Sequence, residues 1–161
     1  MSSVIKVNAL QHTNGTSALT IDSNGRILTP ATPAFSAYRD AGDVGTSTVY
    51  ICNAVHFNNG GHYSTSTGRF TAPVTGIYQI STMLMTRDDK AYDNKYYDIR
   101  IDGTTYKRVY STTSGSAAHH NFNHSSLFNL TANQYVDVIT GTVELYGQGS
   151  TFSTFSGHLV G

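Results

Sequence analysis

The chain has 161 residues, enough for one domain and short for two, and only 12% of them are charged, about half the usual share. Ten Lys and Arg balance ten Asp and Glu, so there is no excess positive field to hold a phosphate backbone, which argues against nucleic acid as a partner. A single cysteine rules out an intrachain disulfide, and no apolar run approaches the ~18 residues a membrane span needs.

The polar positions are filled by 22 Thr, 17 Ser and 11 Asn, with 15 Gly, 11 Tyr and no Trp. Apolar residues alternate at period two throughout, and no window of ten or more shows helical spacing, so an all-β chain is expected. Met1-Ser2-Ser3-Val4-Ile5-Lys6 lacks the apolar stretch of a signal peptide, and a soluble protein made without a secretion signal is expected.

Residues 1–33 read as an arm. Val4-Ile5-Lys6-Val7 alternates weakly, Asn14-Gly15 breaks it, and Ser17–Asp22 runs through Asn24-Gly25 into Arg26–Thr29. Pro30 and Pro33 then close the segment as a stiff spacer. An arm of this size can form a small hairpin but cannot bury a core alone, so it must pack on its own domain, a neighbouring subunit or a separate protein. Val4, Ile5, Val7, Leu19, Ile21, Ile27 and Leu28 are its candidate anchoring residues.

Residues 34–161 carry the expected strands Ala34–Tyr38, Val49–Phe57, Arg69–Ala72 and Ile77–Thr86, a hairpin, and then Asn121–Leu130, Tyr135–Ile139, Thr142–Tyr146 and Thr151–Val160. Cys52 sits in the alternating run Val49–Val55, where a buried inert thiol is expected. Both alternating sets of Ile77–Thr86 are semi-apolar, which predicts that both faces of that strand are covered, the outer one by a subunit interface. The hairpin is Tyr96–Ile101, the turn Asp102-Gly103, and Thr104–Val109. A two-residue loop predicts Ile101 opposite Thr104, Ile99 opposite Tyr106 and Asp98 opposite Lys107. This many short strands fits a jelly roll or a similar Greek-key sandwich.

Catalytic patterns are missing. Seven histidines invite a metal reading, but on a strand His120 and His124 lie about 13 Å apart at roughly 3.3 Å per residue, beyond the reach of one zinc. Asp88, Asp89, Lys90 and Asp93 read as a solvated loop. There is no nucleophile elbow, no phosphate-cradling glycine loop and no HExxH, so neither enzyme activity nor a cofactor is expected.

The stretch from Asn58 to Tyr78 resembles the signature of the C1q-like domain, the trimeric jelly roll related to tumour necrosis factor. That pattern asks for Asn or Asp, an aromatic five positions on, Phe seven later, Gly six later and Tyr two beyond. Asn58, Tyr63, Phe70, Gly76 and Tyr78 stand at those spacings. Leu130–Val136 and Phe155-Ser156-Gly157-His158-Leu159 are similar to later strands of the family. Cys52, Ile80 and Thr82 stand where the family has aromatics. The resemblance implies a C1q/TNF-like jelly-roll β-sandwich that forms a homotrimer, with Asn58, Tyr63, Phe70, Gly76, Tyr78 and Gly157 as the fold and trimer signature.

Gln11–Ile27, followed by Pro33-Ala34-Phe35, resembles a segment near the N-termini of structural proteins of tailed phages, notably cyanophages. This second resemblance implies a virion protein made in the host cytoplasm. The expected function is homotrimeric capsid decoration or cement, with the arm held by the major capsid protein or another virion protein. The alternative is a tail-fibre or tail-tip module that meets host saccharide through Tyr92, Asn94, Tyr96 and His119. A secreted lectin would need an export route the sequence does not show.

Overall fold

The computed structural model describes residues 5–87, 94–111 and 119–161. Val4, Tyr92 and the group Asp88, Asp89, Lys90 and Asp93 lie outside them. Among the described residues three short strands, β1 (Ala9–Gln11), β2 (Ser17–Ile21) and β3 (Ile27–Leu28), pair only with one another, in the order β1-β2-β3. The arm thus forms a three-stranded meander, one strand more than a hairpin.

The remaining strands are β4 (Ala34–Tyr38), β5 (Ala54–Asn59), β6 (Tyr63–Ser64), β7 (Arg69–Thr71), β8 (Gly76–Met85), β9 (Lys95–Ile101), β10 (Thr104–Ser111), β11 (Asn121–Leu130), β12 (Tyr135–Thr140) and β13 (Thr154–Leu159). They form two five-stranded sheets, β10-β9-β12-β7-β6 and β11-β8-β13-β4-β5. Neighbours across each sheet come from distant parts of the chain, as in a jelly roll.

The inward residues of both sheets fill one core. Phe35 is its centre, stacked on Phe70 at 4.7 Å and on Tyr63 at 5.0 Å, with the edge of Phe155 at 5.0 Å. Buried hydroxyls find partners, as burial requires. Tyr63 donates to the Cys52 carbonyl at 3.0 Å, Tyr78 to the Val74 carbonyl at 2.8 Å and Tyr50 to the Tyr146 carbonyl at 2.8 Å. Where the resemblance leads one to expect an aromatic, Thr82 instead shares a 2.6 Å hydrogen bond with the Tyr97 hydroxyl.

Cys52 is fully buried. Burial pushes its thiol up to about 12, so almost no thiolate exists at neutral pH. A thiol-specific disulfide reagent is expected to leave the native protein unlabelled and to titrate one thiol per chain after unfolding in guanidinium. Stoichiometric labelling of folded protein would contradict this placement.

Three expected elements differ. In the hairpin, Asp102 and Gly103 take φ of 50° and 80°, as a tight β-turn of this kind demands. A bulge at Tyr106 then shifts the register, so Ile99 faces Lys107 and Asp98 faces Arg108. The shift gives Asp98 a two-pronged partner: Arg108 donates to its two oxygens at 2.7 and 2.9 Å. The strand expected from Val49 begins at Ala54. Residues 50–52 are bonded piecemeal: the Tyr50 amide donates to the Val138 carbonyl, and the Ile51 and Cys52 carbonyls accept from Arg39 and Tyr63. Thr142–Tyr146 is likewise no strand, because Leu145 forms isolated bridges to Val44 and to Thr86.

Candidate functional site

Alternation sends every second residue of the β11-β8-β13-β4-β5 sheet outward, and the register aligns those residues into rows. One row reads Ser125, Ser81, Ser156, Ser36 and Phe57 across the five strands. A second reads Leu127, Gln79, His158 and Ala34. Ser81 and Ser125 hydrogen-bond at 2.8 Å, and Gln79 donates to Ser125. The small side chains leave two shallow troughs of about 450 and about 350 Å³. Large apolar groups flank them, with Leu127 on the edge strand β11 56% exposed and Phe57 on the opposite edge strand β5 50% exposed.

Asp, Glu, Lys and Arg are confined to one of the two sheets, while His56, His124 and His158 stand on the other. The strands β4, β5, β8, β11 and β13 contain no Asp, Glu, Lys or Arg. The other sheet carries Arg69, Lys95, Asp98, Arg100, Lys107, Arg108 and Asp137. Arg100 holds buried Asp137 through two 2.7 Å hydrogen bonds, and Arg69 lies over the Tyr135 ring at 4.0 Å. One sheet therefore faces water with a laced set of ion pairs. The other presents an uncharged, partly apolar face of the kind that a protein partner covers.

The Arg108 guanidinium beside Asp98 holds its carboxyl below the usual carboxylate range. A depressed carboxylate pKa gives stability that is complete above the unfolded value near 4 and is lost as pH falls through the folded value. Asp98→Asn is therefore expected to lower the melting temperature at pH 7 and to flatten its decline below about pH 4. Parallel acid limbs in the two proteins would remove Asp98 as a cause of acid sensitivity.

The signature residues build the scaffold. Asn58 closes the turn before β6, accepting from the Tyr63 amide at 3.1 Å and donating to the Tyr63 carbonyl at 2.9 Å. Tyr63, Phe70 and Tyr78 are core residues. A Cβ on Gly157 would meet Ile80 at 2.7 Å and the Gln79 carbonyl oxygen at 2.9 Å, and one on Gly76 would meet Leu159 at 2.8 Å, so both positions need the missing side chain. Of the arm residues, Ile5, Val7, Ile27 and Leu28 are exposed, and Leu19 and Ile21 are half-buried.

Of the proposed loop group, Asn94, Tyr96 and His119 are described. Asn94 accepts from the Tyr110 hydroxyl, and Tyr110 stacks on Tyr96, whose ring carries the Arg108 guanidinium at 3.9 Å. His119 has its Nδ1 2.6 Å from the Thr86 carbonyl and its ring 5.0 Å from Tyr146. His124 bonds Ser126 at 2.8 Å, and burial, with Lys107 nearby, pulls its pKa down. Among the described residues no group of three or more His, Cys, Asp or Glu could hold a metal ion.

The sequence pattern of the C1q domain matches residues 34–160. The chain belongs to the C1q domain family. Among curated proteins, this C1q domain is similar to complement C1q tumor necrosis factor-related protein 3 of Mus musculus and of Homo sapiens. Each is 31% identical over 110 residues, 68% of this chain and 44% of the relative. The chain thus spans less than half the length of those relatives. Among solved structures, the C1q domain resembles the globular domain of zebrafish complement 1qA, with TM-score 0.65, 15% identity, and 80% of this chain and 98% of that one covered. It also resembles the Eiger TNF of S. frugiperda, with TM-score 0.67, 10% identity, and 81% and 94% covered. At those identities the likeness shows the jelly-roll fold.

The outward groups Ser36, Phe57, Gln79, Ser81, Leu127 and Ser156 are the main residues that motif reading does not single out. Their signal is the absence of any charge from five separate segments, which becomes a surface only once the strand order is known.

Proposed function

We propose that the chain is a homotrimeric structural protein of a phage virion that decorates or cements the capsid. The C1q domain projects as a knob, and residues 1–33 engage the major capsid protein or another virion protein. The observation that carries the trimeric part is the uncharged outward face of β11-β8-β13-β4-β5. C1q and TNF domains form homotrimers. A ring of three needs two different patches that fit each other, and this sheet offers protruding edge groups at Leu127 and Phe57 beside troughs floored by serine. The virion part draws support from the likeness of Gln11–Ile27 to tailed-phage structural proteins and from the exposed aliphatic groups of the arm. C1q domains are non-enzymatic binding or structural modules, and this reading involves no cofactor, nucleic acid or membrane.

Native mass spectrometry of the purified chain tests the trimer. The expected species has three times the 17.4 kDa chain mass, and a stable monomer at micromolar concentration overturns it. Copy number per purified particle tests the location. Hundreds of copies support decoration, whereas a handful supports the second reading, a tail module for host saccharide, which the cluster of exposed Asn94 and Tyr110 with half-buried Tyr96 would favour.

A further inference from the structure

Within the arm, Leu10 lies opposite Leu19, and Ile21 lies opposite Ile27. Cross-strand partners share a face, as do residues two apart on one strand. Leu10, Leu19, Ile21 and Ile27 therefore form one aliphatic face across all three strands, while Ala9, Ala18, Thr20 and Leu28 share the reverse. Leu10 is 55% and Ile27 65% exposed. Neither face carries an ionisable group. Two of the arm's charged residues pair in the turn between β2 and β3, where the Asp22 carboxylate accepts from the Asn24 and Arg26 amides and pairs with the Arg26 guanidinium at 2.7 Å. A small sheet with a bare aliphatic face is not stable alone in water.

We propose that the aliphatic faces of three arms pack against one another about the threefold axis, closing a three-sided β-prism below the trimer of C1q domains. This rests on the trimeric reading above. Two observations select further copies of this chain as the occupant. First, the end of the linker is pinned to the sheet assigned to the subunit interface, since the Leu159 amide of β13 donates to the Pro33 carbonyl at 3.0 Å. The five residues Thr29–Pro33 reach at most ~17 Å. Three arms leaving that sheet are thereby tethered close together, at effective concentrations in the millimolar range. Second, the face has no charge for a foreign partner to complement, and three identical aliphatic faces satisfy one another without any. Leu28, on the reverse face, remains available to the particle, as do the exposed Ile5 and Val7 ahead of β1.

Leu19→Cys in the full-length chain tests the prism, because Leu19 lies on the central strand of the meander and the buried Cys52 thiol does not compete. After mild oxidation of the purified trimer, up to two of every three chains are expected in disulfide-linked dimers, whereas Ser23→Cys in the exposed turn stays unlinked. In a second variant, Leu19→Asp with Ile21→Asp, native mass is expected to remain trimeric while protease cuts within residues 1–33 at least about tenfold faster. A trimer in which Leu19→Cys links no more than Ser23→Cys, or in which the charged arm is cut at the natural rate, overturns the prism and leaves the trimer standing. A monomeric natural chain overturns both.

Discussion

A Ser81→Arg chain is expected to run as a folded monomer at concentrations where the natural sequence is trimeric. Ser81 sits mid-row on the outward face, hydrogen-bonded to Ser125 and lining both troughs, so the longer side chain extends into solvent and the core behind it is untouched. The cost falls on association. No Asp or Glu lies on any of the five strands to pair with the new charge, and covering an unpaired guanidinium costs about 3–5 kcal/mol per interface. That corresponds to roughly 10²- to 10³-fold or more in each contact. Sedimentation velocity with far-UV circular dichroism checks the result: an unchanged trimer would mean that this face is not the one covered, and a lost β spectrum would mean that Ser81 is needed for folding.

The second large effect lies in the core. Phe35→Ala removes the ring on which Tyr63, Phe70 and Phe155 all pack, at a position only 1% exposed. Such truncations cost about 3–5 kcal/mol, a large part of the ~5–15 kcal/mol that holds a domain of this size. Urea unfolding of a chain made monomeric by Ser81→Arg isolates the effect from association. A loss under about 1 kcal/mol would indicate that the cavity collapses and the site repacks.

Much of this architecture is legible in the residues. Period-two alternation marks Ala34–Tyr38 and Asn121–Leu130 at their observed limits, because a strand buried on one face must alternate. The two apolar faces of the segment that became β8 point to an outer cover for the same reason. What stays hidden depends on partners far away in sequence. The Asp102-Gly103 turn is visible, but the Tyr106 bulge is not, since the gain it allows, Arg108 on Asp98, comes from a side-chain pairing that no turn rule contains. Val49–Cys52 alternates like a strand, yet its Ile51 and Cys52 carbonyls go to the side chains of Arg39 and Tyr63. For the proposed loop group, residue kind alone does not reveal that Asn94 accepts from Tyr110 or that His119 lies against Thr86 and Tyr146.

β13 is the last strand in chain order, yet it sits in the middle of the uncharged sheet, between β8 and β4. Until it arrives, β4 with β5 and β8 with β11 are two separate half-sheets whose facing edges have no backbone partners. The row from Ser125 to Ser36 does not yet exist as a surface. A chain in which β13 has not yet docked thus lacks the face through which copies would recognise each other, and its long-range pairing makes this closing step slow. Assembly is thereby ordered in time: closure of the sheet by β13 comes first, and only then is there a complete surface to oligomerise.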